Sequence, residues 1–216
     1  MKIVILGGTG LIGQALQESF SKNHQVEVFN RTAFQSVKYL ASIIDGSDFV
    51  IQLAGSTISK RWSEKIIEEM WQSRVNTNQM LSEAIKLISS KPRVICASGI
   101  SFYAESDCND PKTEDDPQGE GYLTDLNIAV ENAAKSISDD VTILRFGVVL
   151  SRNGGALEKL YWPYYFGFGG PIMNGNQCFS WIHIDVFSFS VKLSNCICSS
   201  LFVKVTCDRV CIPCSK

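Results

Sequence analysis

Charge of one sign is in short supply. Twenty Lys and Arg against 22 Asp and Glu leave a net charge of −2 over 216 residues. No broad basic face can then neutralise a run of phosphates, so nucleic acid is not an expected partner. Long apolar runs are missing too. Met1 to Leu6 starts like a secretory leader, but Gly7-Gly8-Thr9-Gly10 breaks the run. No stretch reaches the roughly 18 apolar residues of a spanning helix, so no membrane association is expected. Of eight cysteines only Cys96, Cys108 and Cys178 precede Cys196. A disulfide framework is disfavoured and a reducing cytoplasm is the expected setting. No internal repeat or low-complexity linker precedes residue 186. What remains, 45% apolar and 19% charged, has the composition of one main globular domain.

Lys2 to Leu6 is a short apolar run closed by glycines, and Leu11, Ile12, Ala15, Leu16 and Phe20 follow at helical spacing, which predicts strand, tight turn and helix. Val26 to Phe29, Asp48 to Leu53, Arg93 to Ala97 and Val141 to Leu144 read as further strands. Ser63 to Leu87 carries one long helical pattern, and Leu123 to Ser136 a second. Ser36 to Leu40 admits a strand, but a parallel crossover needs more chain than the few residues before it. That segment stays unassigned. The polar stretch from Glu105 to Gly121 reads as an exposed loop. Strands that are nearly continuous in Val, Ile and Leu and alternate with helices predict an α/β fold, a doubly wound parallel sheet of Rossmann type with helices on both faces.

Gly7-Gly8-Thr9-Gly10-Leu11-Ile12-Gly13 sits where a dinucleotide-binding turn must sit, after the first strand and opening a helix. Gly7 permits the turn, Gly10 lets the backbone approach a pyrophosphate, Gly13 lets helix pack on strand, and the helix N-terminus offers N–H donors. A merely connecting turn explains one such glycine, not three at this spacing. The second strand ends in Asn30-Arg31, where an acidic residue would hold the ribose hydroxyls of NAD. Arginine there favours a 2′-phosphate, hence NADP over NAD; a solvated surface arginine is the alternative. Leu53-Ala54-Gly55 ends another strand with small residues that admit a cofactor.

Taken together and in this order, GGTGLIG, NR, QLAG, KRW at 60 to 62, SR at 73 to 74, CASGISFYAE, LRFGVVLSRNGG, GFGGPIMNGNQ and SWIHID resemble the NAD-dependent epimerase/dehydratase-like branch of the short-chain dehydrogenases. More narrowly, the chain resembles the atypical YfcH-like subgroup, described as NADP-binding oxidoreductases or epimerases of unestablished substrate. The resemblance spans about residues 1 to 185. It implies an NADP(H) site at Gly7, Gly10, Leu11, Ile12, Gly13, Arg31, Leu53, Ala54 and Gly55, with Thr9 in the turn and Ala97, Ser98 and Gly147 from later strand ends. It implies hydride transfer to or from a carbonyl or alcohol of a small substrate.

It does not supply a catalytic pair. Short-chain dehydrogenases commonly use a tyrosine with a lysine four residues on, since a free phenol is a poor base at neutral pH. No tyrosine here has that lysine; Tyr122 comes nearest in location and is followed by Leu126. The catalytic candidates are Ser98 and Tyr103, as groups that polarise and protonate a carbonyl, each with a plain structural alternative. His183 reads as structural sooner than as a base. Lys60, Arg61 and Arg74 suit an anionic substrate group or a solvated helix face.

After Asp185 the resemblance stops. The family continues with a helix and a smaller substrate-covering portion, whereas residues 186 to 216 form a Cys/Ser-rich tail with no clear helical period. The expectation is a dinucleotide-binding domain over 1–185 and a divergent tail over 186–216, produced by a shifted frame or early stop. Loss of the covering portion predicts exposed apolar surface at the C-terminal edge of the sheet. Cys196, Cys198, Cys211 and Cys214 offer thiolates for zinc, but at a spacing too tight for the first pair, and no metal is expected. A noncatalytic NADP-binding protein and an inactive remnant are the competing readings.

Overall fold

The computed structural model describes residues 1–104, 112–170 and 179–196. At its centre lies a five-stranded parallel sheet of β1 (Lys2–Leu6), β2 (Gln25–Phe29), β3 (Phe49–Gln52), β4 (Arg93–Gly99) and β5 (Val141–Phe146), in the order β2-β1-β3-β4-β5. Alternate residues of each strand go to opposite faces, and both faces are covered. Val4, Leu6, Val50, Val94 and Cys96 pack with Leu40 and Ile44 of α2 (Val37–Ile44) and with Leu81 and Ala84 of α4 (Thr77–Leu87). Ile3, Ile5, Ile51 and Ile95 pack on the other side with Leu16 and Phe20 of α1 (Leu11–Phe20). Burial on both sides is why the strands read as unbroken apolar runs.

The chain passes outward from β1 to β2 and then returns to place β3 on the other side of β1. Such a switch point opens a crevice at the carboxyl ends of the strands, where ligands of doubly wound sheets bind. The glycine turn, Arg31 and Leu53-Ala54-Gly55 all follow the carboxyl ends of β1, β2 and β3.

The unassigned segment is α2. Ser36 caps it, its Oγ accepting from the Tyr39 N–H at 3.2 Å, and the buried Leu40, Ala41, Ile43 and Ile44 extend a helical pattern beyond the window that suggested a strand. The long pattern after Ser63 is two helices, α3 (Glu64–Trp71) and α4, joined by one π turn over Gln72–Asn76. The pattern over 123–136 is α5 (Tyr122–Lys135).

Past β5 the chain builds a smaller sheet in the order β7-β6-β8, from β6 (Val148–Ser151), β7 (Gly154–Gly155) and β8 (Trp181–His183), with α6 (Ala156–Tyr165) leaving β7. α7 (Ile184–Cys196) follows, which corrects the expectation that the tail lacks helical structure from residue 186. Ile184, Phe187, Ser188 and Val191 are buried at helical spacing, and the Phe187 ring meets Phe146 at 4.9 Å. The alternating Phe and Ser masked this period. Ser188 and Ser190 turn their hydroxyls back to the carbonyls of Ile184 and Val186, so they sit in the helix instead of ending it. Cys198, Cys211 and Cys214 fall outside the described residues, as does 105–111 of the polar loop. Among the described residues no helix is long and apolar enough to cross a membrane, and no cluster of His, Cys, Asp or Glu is placed to hold a metal.

Candidate functional site

The glycine turn is shaped from three sides. Gly7 has φ +80°, and a Cβ there would lie 2.6 Å from the Ala54 nitrogen, so only glycine lets β1 and the end of β3 close together. The Gly7 and Gly8 N–H groups both donate to the Phe29 carbonyl, at 2.8 and 3.2 Å, fixing the turn to β2. A Cβ at Gly13 would meet the Gly8 Cα at 2.2 Å, so Gly13 seats α1 on the turn itself, not on the strand. Gly10 differs. It is exposed, and the nearest atom to a Cβ there is the Gly7 oxygen at 3.7 Å. As N-cap of α1 it carries no side chain to occupy the first N–H groups. That arrangement fits a pyrophosphate. Leu11 props the turn from behind: its side chain lies against Gly155 of β7, where a Cβ would approach it to 2.9 Å.

Arg31 lies just past β2, its side chain 81% exposed, 3.6 Å from Glu69 of α3. Lys60 lies 3.4 Å from the other Glu69 oxygen. Two cations on one carboxylate form a surface network of small energetic weight. It does hold both heads at the same mouth of the crevice.

Ser98 and Tyr103 join a different network beside β4. Ser98 is buried and donates to Glu131 Oε1 at 2.8 Å. Arg145 of β5 grips both Glu131 oxygens at 2.7 Å each and donates to the Tyr103 hydroxyl at 2.7 Å. Its guanidinium lies 3.5 Å from the Phe102 ring centroid. Burial works against the Arg145 charge. The hydrogen bonds to Glu131 and Tyr103 and the Glu131 charge outweigh that and hold Arg145 above its ordinary range. The serine proton is thus committed to a carboxylate, while the tyrosine oxygen acts as acceptor.

The pattern of the NAD dependent epimerase/dehydratase family matches residues 3–159. The chain belongs to that family. Among relatives, human epimerase family protein SDR39U1 is 33% identical over 196 residues, covering 85% of this chain and 67% of its own length. The chloroplastic SDR39U1 homolog of Arabidopsis thaliana is 31% identical over 211 residues, 86% of this chain and 59% of that protein. Among solved structures, human SDR39U1 (isoform 2) with NADPH superposes with TM-score 0.78 at 30% identity, over 89% of this chain and 69% of that one. The nucleoside-diphosphate sugar epimerase from Corynebacterium glutamicum does so with TM-score 0.74 at 26% identity, over 90% and 43%.

Other residues expected at this site also make contacts within the protein. Arg74 turns inward and donates to the Ser56 carbonyl at 2.7 Å, while the Ser73 hydroxyl accepts from the Ser56 N–H at 2.9 Å. The π turn thereby clasps the loop after β3, with the Arg74 guanidinium set against Gly55. Burial lowers the Arg74 pKa, partly countered by Tyr122. Tyr122 donates to the Ile67 carbonyl at 2.9 Å, and burial raises its pKa, against the influence of Arg74. It is no substitute base. Gly147 is closed over by Ser180, whose carbonyl oxygen would be 2.3 Å from a Cβ, so its glycine serves the junction of β5 and β6. Ala97 pairs with Leu144 within the sheet. His183 is half-exposed at the end of β8 and accepts from the Asp185 N–H at 3.3 Å, at the start of α7.

Sequence reasoning missed Gly8, Glu69, Glu131 and Arg145. For Gly8 the signal was present, since it stands inside the turn; a Cβ there would strike Val28 at 2.4 Å. The two glutamates and Arg145 belong to helices and a strand whose neighbours are set by topology.

Proposed function

We propose that this chain is an NADP(H)-dependent oxidoreductase that moves a hydride to or from a carbonyl or alcohol carbon of a small substrate, with Tyr103 as proton donor. The observation that carries the proposal is the 2.7 Å bond from Arg145 to the Tyr103 hydroxyl. A guanidinium only donates, so the phenol oxygen accepts and its own proton is directed elsewhere. Tyr103 gives that proton to the carbonyl oxygen as charge develops there, and Arg145 stays beside the oxygen that loses it. Ser98, its proton held by Glu131, offers lone pairs and positions instead of polarising. Bound NADP(H) supplies or accepts the hydride at its nicotinamide. Gly7, Thr9, Gly10, Leu11, Ile12 and Gly13 cradle its pyrophosphate, Leu53, Ala54 and Gly55 border it, and Arg31 with Lys60 faces a 2′-phosphate. The NADPH in the human SDR39U1 structure supports this choice of cofactor.

A binder of NADP(H) without turnover is favoured by one observation: Tyr122, where the family's tyrosine-lysine pair is nearest in location, is tied to Ile67 and has no lysine partner. Loss of nicotinamide absorbance from NADPH with phenanthrenequinone as the carbonyl probe separates the two. The oxidoreductase reading expects turnover by the wild type and a kcat lowered by about 10²–10⁴-fold in Tyr103→Phe, with NADPH affinity unchanged. Binding of NADPH without turnover supports the second reading, and a Tyr103→Phe variant as fast as the wild type removes Tyr103 from the chemistry.

A further inference from the structure

The glycine turn is the floor of a crevice with two walls, and one side chain reaches from wall to wall. Gly7 abuts Ala54, so the first wall is the end of β3 with the loop that follows it. That loop is held at several points. Arg74 and Ser73 clasp Ser56, the Ser59 N–H donates to the Thr57 hydroxyl at 3.3 Å with the two hydroxyls 2.8 Å apart, and the Trp62 indole N–H donates back to the Ile58 carbonyl at 3.0 Å. Leu11 abuts Gly155, and α6 begins at the next residue, so the second wall is β7 with the start of α6. Lys159, in the first turn of α6, donates from its amine to the Ser59 hydroxyl at 2.8 Å, a bond between residues 100 apart in sequence. Floor, walls and this bond together encircle the place of the pyrophosphate.

Charge indicates what the bond is for. Gly7 to Phe20, the turn and α1 together, contains no Lys or Arg. Its N–H groups offer a pyrophosphate only partial charges. Arg31 and Lys60 share Glu69 at the ribose end. Lys159 is the one cation of α6, is exposed, and among the described residues its amine meets a neutral hydroxyl and no carboxylate. We propose that Lys159 is a cofactor-binding residue whose ammonium lies over the pyrophosphate of the dinucleotide, with Ser59 holding it in place. The proposal rests on the NADP(H) site described above and adds to it a contact that NADPH and NADH share. An ammonium has three N–H donors; Ser59 takes one and two remain for phosphate oxygens. As a compact point charge it needs no planar partner, which suits the tetrahedral oxygens of a phosphate.

Calorimetric titration of the full chain with NADPH, NADH and adenosine 2′-monophosphate, repeated on Lys159→Met, tests this. The variant is expected to bind both dinucleotides about 5–30-fold more weakly, as loss of one charge-assisted hydrogen bond implies, with the ratio between them unchanged. Adenosine 2′-monophosphate has no pyrophosphate and binds both proteins alike. Lys159→Arg restores most of the loss. Ser59→Ala weakens the dinucleotides less, and adds nothing to Lys159→Met in the double variant, because the serine acts through the amine. Dinucleotide affinity left unchanged by Lys159→Met overturns the proposal while the cofactor site stands. Equal weakening of all three ligands, or losses that add in the double variant, overturn it as well. A wild type that binds neither dinucleotide removes the site and the proposal together. Should the variants fail to fold, reductive methylation of the wild type, read at Lys159 by mass spectrometry, decides: methylation slowed by NADPH but not by adenosine 2′-monophosphate supports the contact, and equal rates refute it.

Discussion

Single residues show most sharply how far side-chain chemistry depends on neighbours remote in sequence. Ser98 stood out because it ends a strand and Tyr103 because it follows five residues on, yet what each can do is set by Glu131 and Arg145, 33 and 42 residues away for the bonds concerned. A buried carboxylate gripped by a guanidinium is a costly arrangement that persists only when every partner is in place. Cys96 is the opposite case, a thiol with one duty. It is wholly buried in the α2–α4 face, and burial pushes its pKa up to about 12 from 9.0. The unfolded chain loses this proton above pH 9 while the folded one keeps it, so the folded state binds more protons there and stability falls as pH rises toward 12. The slope is about 1.4 kcal/mol per pH unit. Denaturant melts from pH 8 upward are expected to show this decline and to show it reduced in Cys96→Ala; equal slopes in both proteins would contradict the burial argument.

At the scale of elements, the glycine turn was legible because its demands are local. Three of its glycines answer to contacts within the turn or with the next strand end, and the spacing in sequence is the spacing in space. The same contacts separate fold from function. A Cβ at Gly13 collides with backbone, so Gly13→Ala is expected to lift α1 and lose both stability and cofactor binding. A Cβ at Gly10 meets nothing nearer than 3.7 Å, so Gly10→Ala is expected to melt within a few degrees of the wild type while binding NADPH at least tenfold more weakly. Thermal melts with and without NADPH check the pair, and equal behaviour of the two variants would refute the division of labour. α2 was not legible, because Ser36 to Leu40 fit a strand as well as a helix and only Ala41 to Ile44 complete the helical stripe. The π turn was hidden for a related reason: the apolar period runs through it almost unbroken, and the clasp on Ser56 that needs it comes from another loop.

For the whole molecule, parallel pairing and two-sided burial followed from unbroken apolar strands alternating with helices. The second sheet did not, since β7 has two residues and β8 three, too short to carry a period. α7 shows how a long-range duty hides in an unpromising sequence: Phe187 and Val191 finish the face that α1 begins. Phe187→Ala is expected to cost about 3–5 kcal/mol in urea melts, and a cost below 1 kcal/mol would mean that the domain ends before α7.

Cofactor choice at the switch point is the claim on which the rest depends, and calorimetric titration of the full chain with NADPH and NADH, repeated on Arg31→Asp, tests it most directly. NADPH is expected to bind the wild type more tightly than NADH. In Arg31→Asp its affinity falls by about 10–100-fold, as loss of a charge-assisted phosphate contact implies, while that for NADH holds or rises. Equal affinity of the wild type for both nucleotides, or an unchanged preference in the variant, would contradict the account.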